Sequence, residues 1–426
     1  MNWKLPLITA CIGLAVITKG TGTCLASESK QEPVIVTVPA VESRTVMTSE
    51  IAQEVLVVNA LMLGRELSGI VDVANLTQIS AADVRKKIDH YFIPDVCIYL
   101  DGVLRQEGDL DPVISRRNVS AIADPVALRY GVVIDNTAVR AYPSWQKLSK
   151  ENTEEAADYF QESMFMIGEG VVVLHQTADE IWSFVQGSNA CGWIETDEIA
   201  FCQREEMKMF SNPENFVVVT EDTILAGEEE LRMGTKLPLA RMEGEHAVVW
   251  IPKSNENGNL YQSEVWIHAE GGINIGYLTL SEEMILEQAY NLIDMPFGWG
   301  DTGGFMDCSS ALGAIYRCFG VILPRETQQL VYAGETAADI SQMSENEKYN
   351  RIIGQAPGTI LLMEDHAVLY LGVNSNGLPM IFHNVEAYST DQVTVTEVYR
   401  SVVTPLMIYT PDGDSYLSRF THMISF

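Results

Sequence analysis

At Tyr130 the chain changes texture, and that change restricts the available folds more than any other feature. Upstream, from Met47 to about Asp124, apolar residues recur at helical spacing (Ile51, Val55, Val58, Leu61, Leu63), and Ser80-Ala-Ala-Asp83 has the form of a capping box. Downstream come short β-rich runs at 132–134, 171–174, 181–185 and 193–194, parted by Gly, Asn, Asp and Ser clusters. That is the pattern of a small β-barrel. A second set follows at 216–219, 223–226, 236–241, 247–251 and 265–267. Each set runs from a Gly-led strand (Gly168 or Gly234) through a polar turn to a Trp-bearing strand (Trp182 or Trp250), so two related barrels are expected. From Ser281 the order becomes helices first and strands after, an α+β arrangement. Ser281 caps the first helix, and Ile285, Leu286, Ala289, Leu292 and Ile293 form its buried face.

A chain of 426 residues needs several domains, and 47% apolar with 20% charged residues is a globular composition. The net charge of −31 argues against a nucleic-acid partner, because no basic stripe is present to neutralise phosphates. The N-terminus has the form of an export signal: Lys4, a mostly apolar stretch over 5–18, and Cys24-Leu25-Ala26 as a cleavage site. The apolar stretch is too short to span a membrane. Membrane association is therefore expected only through the signal itself, or through a lipid on Cys24. A retained anchor or a buried N-terminal helix is the alternative. The expected layout is a signal at 1–26, a linker at 27–44, a helical region at 45–127, barrels at 128–196 and 197–280, and an α+β domain at 281–426. Five cysteines lie beyond the signal. No CxxC occurs, Cys97 and Cys318 suit burial as small apolar residues, and a Cys191–Cys202 disulfide is conceivable.

The chemistry concentrates in the last domain. A Gly-rich approach, Phe297-Gly-Trp-Gly-Asp-Thr-Gly-Gly, leads into Met306-Asp307-Cys308-Ser309-Ser310. Leu312, Ile315, Tyr316 and Phe319 give a helical apolar face, with Gly320 suited to the far end. Cys308 therefore starts a helix, where free N–H groups and the macrodipole favour a thiolate and could stabilise an oxyanion. His366 opens an apolar strand, and Pro379-Met-Ile-Phe-His383 forms the next. A loop at 373–376 sets His383 opposite His366; moving it by one residue sets residue 385 there. Either register leaves both imidazoles on one sheet face, as a base and its orienting partner require.

Phe297-Gly-Trp-Gly, Asp307-Cys308-Ser309, Leu323-Pro-Arg325-Glu-Thr327, Pro357-Gly-Thr, His366 and Phe382-His383 occur in the order found in the NlpC/P60 cell-wall peptidases, which this section resembles. Departures are Ser310 for a Gly, Thr359 for an Asp, Thr327 for a Ser, and Asp365 before the histidine. Upstream, Arg129-Tyr-Gly-Val-Val-Ile, Val139-Arg-Ala-Tyr-Pro143 and Ile181-Trp-Ser-Phe-Val185 resemble the first bacterial SH3-like barrel of multidomain members. Those have a helical stabilising domain, two such barrels and a papain-like peptidase. The resemblance implies cleavage of the amide between γ-D-glutamate and the following diamino acid of murein stem peptides. It also implies a preference for a free N-terminal L-alanine, since the first barrel narrows the cleft.

By the same resemblance Cys308 attacks, His366 carries the proton and His383 orients His366. Asp307, Ser309 and Thr327 line the peptide site, and Asp307 could pair with the free amine. An acidic residue and a tyrosine of the first barrel would suit that ammonium, and Asp158 and Tyr142 are the candidates. Trp182, Trp193, Trp250 and Trp266 are assigned to barrel core. No cofactor is expected, and no HExxH or comparable cluster suggests a metal. The partner implied is peptidoglycan or its fragments, reached in the periplasm, envelope or medium. Two other classes are weighed: a catalytically silent wall-binding protein, and a papain-like thiol amidase or acyltransferase acting on another amide.

Overall fold

The computed structural model describes residues 58–426 apart from Glu155. The signal, the linker, Ile51 and Val55 lie outside the described residues.

Residues 58–63 are helical, and only Val58 and Met62, four apart, are buried while Leu61 and Leu63 face out. Val58 and Met62 pack into the same apolar cluster as Phe319 and Leu330 of the last domain. Ser80 caps helix Ala81–Ile88 through the Asp83 amide at 3.1 Å, and helix Asp111–Arg116 follows. Between them Tyr99–Leu100 pairs with Val103–Leu104 and with Leu148–Ser149. This region is thus less helical than the apolar spacing predicts, because much of its chain runs irregularly over the faces it covers.

The β-rich section forms two main sheets on one plan. The first, seven-stranded, orders its strands as Ile199–Cys202, Arg129–Val133, Gly170–Gln176, Trp182–Gln186, Cys191–Glu195, Thr137–Arg140 and Gln161–Phe165. The second repeats the first five places with Ile273–Ile275, Phe216–Val219, Lys236–Glu243, His246–Ser254 and Leu260–His268. Matching backbone bonds mark the repeat: Gly168 N–H donates to Val133 O and Gly234 N–H to Val219 O, each at 2.9 Å. Strand Ile199–Cys202 completes the first sheet, beyond the boundary expected at 196, since its partner is Arg129–Val133. Trp182 and Trp193 are buried as expected. Trp266, 48% exposed, is not core: strand alternation turns it outward, while its neighbours Val265 and Ile267 face the core.

The last section lays helices Glu282–Asn291 and Cys308–Arg317 against a six-stranded sheet. Ala311, Leu312 and Ile315 of the second helix meet Leu369 and Phe382 of the sheet in one buried cluster. All five cysteines of the described residues are free, so Cys191 and Cys202 form no bridge; Cys97 and Cys318 are fully buried. No helix among the described residues is long and apolar enough to cross a membrane.

Candidate active site

The Cys308 helix is fixed at its start by its own sequence. The Asp307 carboxylate accepts the Ser310 amide at 3.0 Å, and Ser310 Oγ accepts the Asp307 amide at 2.9 Å, a reciprocal cap. Cys308 is the first helical residue. The Gly-rich approach is tied to the same carboxylate, which accepts the Gly300 amide at 3.2 Å. Gly300 has φ +58°, and a β-carbon there would lie 2.4 Å from the Gln161 carbonyl oxygen, so no other residue fits. Gln161 Nε2 donates in turn to Gly300 O at 2.9 Å.

Arg325 binds this turn from behind. Its Nη2 donates to Asp307 at 2.7 Å and to Asp301 at 3.4 Å, its Nη1 to Ser309 Oγ at 2.8 Å, and its Nε to Ser163 Oγ of the first sheet at 2.8 Å. Burial alone would raise the Asp307 carboxyl, but Arg325 outweighs it and holds Asp307 below the usual carboxylate range. Asp301, less well paired, is pushed up to about 6 by burial.

The histidines owe their meeting to a bulge. Strand Ala367–Val373 pairs with Pro379–Ser389 so that Val373 faces Pro379 and Gly372 faces Met380, which makes the loop 374–378. Continued unchanged, that register would put His366 and His383 on opposite faces. A shift between Tyr370 and Gly372 restores the parity, leaving Leu369 opposite Phe382 and hence His366 in line with residue 385. Gly372, at φ +87°, supplies the left-handed backbone the shift uses. His366 Nε2 then lies 3.2 Å from His383 Nδ1, and His383 Nε2 lies 3.2 Å from Thr404 Oγ1. His383 and Thr404 are buried, and the third member, Thr404, carries no signal in the sequence that would single it out.

With Nε2 engaged, His366 presents Nδ1 as its remaining nitrogen. The Ala367 amide, next in the chain, bonds the Cys308 sulfur, and Thr327 Oγ1 lies 4.0 Å from it. Burial, and then Asp307, push the Cys308 thiol up to about 11, against the lowering that a helix start alone predicts. Burial lowers His366 to about 4 and holds His383 well below its ordinary value. At neutral pH the two groups rest as a thiol and an uncharged imidazole in one cleft, the protonation states that general-base activation requires.

Cys308, His366, Asp307, Ser309 and Thr327 all line one cleft of about 370 Å³; His383 sits behind His366. Asp158 and Tyr142 do not line it. The Asp158 carboxylate is taken by Arg140 at 2.7 Å and by the amides of Leu148 and Phe160. Tyr142 is core, its hydroxyl donating to Tyr91 O at 3.1 Å. The acid that the first sheet does bring to the cleft is Glu162, beside Glu326. Strand alternation held the clue: Gln161, Ser163 and Phe165 point inward, so Glu162 points out. Arg325 stood within the quoted motif without a role. Among the described residues, no group of three or more His, Cys, Asp and Glu side chains is arranged to hold a metal.

A family model for an SH3 domain of the SH3b1 type matches residues 143–195. No curated protein shows significant similarity to the chain. Among solved structures, an NlpC/P60 endopeptidase from Photobacterium damselae subsp. piscicida superposes with TM-score 0.69 at 18% identity, covering 89% of this chain and 93% of that one. An NlpC/P60 family protein from Bacillus cereus covers 69% of this chain and 98% of its own at 16% identity and TM-score 0.48. The chain therefore combines a bacterial SH3 domain with the fold of the NlpC/P60 endopeptidases.

Proposed function

We propose that this chain is an exported cell-wall cysteine peptidase that hydrolyses the amide between γ-D-glutamate and the diamino acid of murein stem peptides. Cys308, His366 and His383 are the catalytic set. The observation that carries the reading is Cys308 at a capped helix start, in one cleft with a His366 oriented through His383 and Thr404. His366 Nδ1 takes the thiol proton as sulfur bonds to the γ-carbonyl carbon. It returns that proton to the departing amine as the C–N bond breaks, leaving a thioester. Water, deprotonated by His366, then attacks the thioester and restores the thiol. Ser309 and Thr327 line the peptide site. The sheet at 216–275 is read as a second SH3-like barrel, supported by its shared strand order.

Preference for a free L-alanine amine finds support in Glu162 rather than in Asp158. Burial, and then repulsion from Glu326, push Glu162 up to about 7, and a bound ammonium would relieve both. Asp307, already paired with Arg325, is less open to that amine than its position in the sequence implies. The test is product analysis on L-Ala-γ-D-Glu-diamino acid tripeptides. Release of L-Ala-D-Glu is expected, with Cys308→Ala reducing turnover by about 1,000-fold or more while peptide binding persists. Intact substrate after treatment with the native protein would sink the proposal, as would activity that survives iodoacetamide.

A further inference from the structure

A second pocket, of about 370 Å³, opens where the Gly-rich turn meets both sheets, and neither Cys308 nor His366 lines it. Its walls come from residues 301–304 of the turn, from Asp135 and Asn136 of the first sheet's loop, and from Glu230 and Arg232. The last two lie on strand Glu229–Arg232, which pairs with Thr223–Ala226 in a hairpin beside the second sheet. The volume far exceeds the roughly 30 Å³ share of one water, so a small organic molecule has room.

Two side chains in the lining are buried and lack the partners that burial demands. Arg232 is 3% exposed, yet its Nε donates to nothing, and its Nη1 finds Met164 Sδ at 3.8 Å, a weak acceptor. The Glu230 carboxylate lies 3.8 Å from Nε, too far for a hydrogen bond. Burial therefore outweighs Asp301, Glu230 and Asp222 and lowers the guanidinium from its ordinary value. Arg325, with a side chain 10% exposed, is raised instead, because Asp307 and then Asp301 outweigh burial there. Asp301 is the second orphan. It is 6% exposed, and its Oδ2 shares Arg325 at 3.4 Å. Its Oδ1 has no hydrogen-bond partner, since the nearby Ser310 hydroxyl is directed at Asp307 O at 3.3 Å. Arg232 and Asp301 attract each other, but no ion pair joins them.

Arg140 and Asp158, also in the lining, are paired with each other at 2.7 Å. The charges left are the buried Arg232 and Asp301 and the exposed Asp135 and Glu230. A simple anion would satisfy Arg232 but meet three carboxylates. A simple cation would satisfy Asp301 but meet the guanidinium. A molecule with a carboxylate and an ammonium a few atoms apart satisfies both orphaned groups at once.

We infer that this pocket binds a small zwitterion of the α-amino acid class, its carboxylate on Arg232 and its ammonium on Asp301. The ligand ties the hairpin to the Gly-rich turn, so occupancy stabilises the folded chain. The full chain is titrated by calorimetry with glycine, L-alanine and D-alanine, and with acetate and methylammonium as half-ligands, while Tm is followed in parallel. At least one amino acid is expected to bind saturably and raise Tm, with each half-ligand ~10-fold weaker or more. Arg232→Met and Asp301→Asn should each weaken amino acid binding ~10-fold or more. Absence of saturable binding up to ~10 mM overturns the inference, as does acetate that binds as tightly as the amino acids. Binding that falls in Glu162→Gln but not in Arg232→Met belongs to the Cys308 cleft and overturns it too. Should either pocket variant fail to fold, crystals of the native chain soaked with the tightest amino acid still decide. The ligand must lie between Arg232 and Asp301, and water alone there overturns the inference.

Discussion

The two β-sheets follow one strand order and serve the cleft in opposite ways. In the second, strands Thr223–Ala226 and Glu229–Arg232 form a tight hairpin, a separate two-stranded sheet. In the first, the corresponding strands Thr137–Arg140 and Gln161–Phe165 are parted by the long arm 141–160 and stay in the main sheet through Arg140 opposite Trp193. The arm is anchored by the buried Arg140–Asp158 pair at 2.7 Å. It ends in the strand that delivers Gln161 and Glu162 to the cleft, where the Tyr159 ring lies 5.4 Å from that of Trp299. The second sheet supplies none of the cleft's lining residues. It braces the helices from behind: Asn291 Nδ2 donates to Thr220 O at 3.0 Å, and Cys318 Sγ to Val219 O at 3.4 Å. One scaffold thus yields a wall and a brace, and the length of a single hairpin connection separates them.

If that division holds, damage to the first sheet's links should change chemistry and selectivity, while damage to the second should change stability alone. The largest effect is expected at Arg325, which joins Ser163 of the first sheet to Asp301, Asp307 and Ser309. Arg325→Met strands two buried carboxylates and should cost about 3–5 kcal/mol in chemical denaturation. It should also lower kcat steeply, because the cap of the Cys308 helix loses its counter-charge. Wild-type turnover in a folded Arg325→Met protein would break the comparison on the first side. Next comes Leu231, fully buried in the second sheet's cluster. Leu231→Ala should cost about 2–4 kcal/mol. The ratio of activity on free-amine to N-acetylated peptides should stay as it was; a changed ratio would mean that the second sheet also shapes the cleft.

What the sequence disclosed about this site follows from how local each cause is. The capped helix start at Cys308 is written in consecutive residues, Asp307 to Ser310, and is found as the spacing implies. The shared face of His366 and His383 also follows from parity, although the path to it differs: the loop is 374–378, and the shift near Gly372 restores what the longer loop would have lost. Asp158 and Tyr142 were illegible because the long arm turns back on itself. Whether an acid there faces solvent, a buried arginine or the cleft depends on Arg140 and Tyr91, which are distant in sequence. Thr404 was equally hidden, since only the pairing of strand Val395–Pro405 against Pro379–Ser389 brings it beneath His383.

The smallest effect tests the wall itself. Glu162→Gln removes a charge from the first sheet's contribution without removing a packing partner, so stability should change by less than about 1 kcal/mol. The effect should appear in KM, raised about 10-fold for a peptide with a free L-alanine amine and unchanged for its N-acetylated form. The pH profile sharpens the reading. Glu162 sits at about 7 in the free protein, so below that pH it is protonated and cannot pair with an ammonium. For the free-amine peptide, kcat/KM should therefore climb as pH rises through 7. It should fall again as the substrate amine, with an ordinary pKa near ~8, loses its proton. In Glu162→Gln the limb near 7 should vanish, leaving on the acid side the lower limb of His366 at about 4. A limb near 7 that survives the substitution would move the amine site elsewhere in the cleft and leave the first sheet a wall without a recognition role.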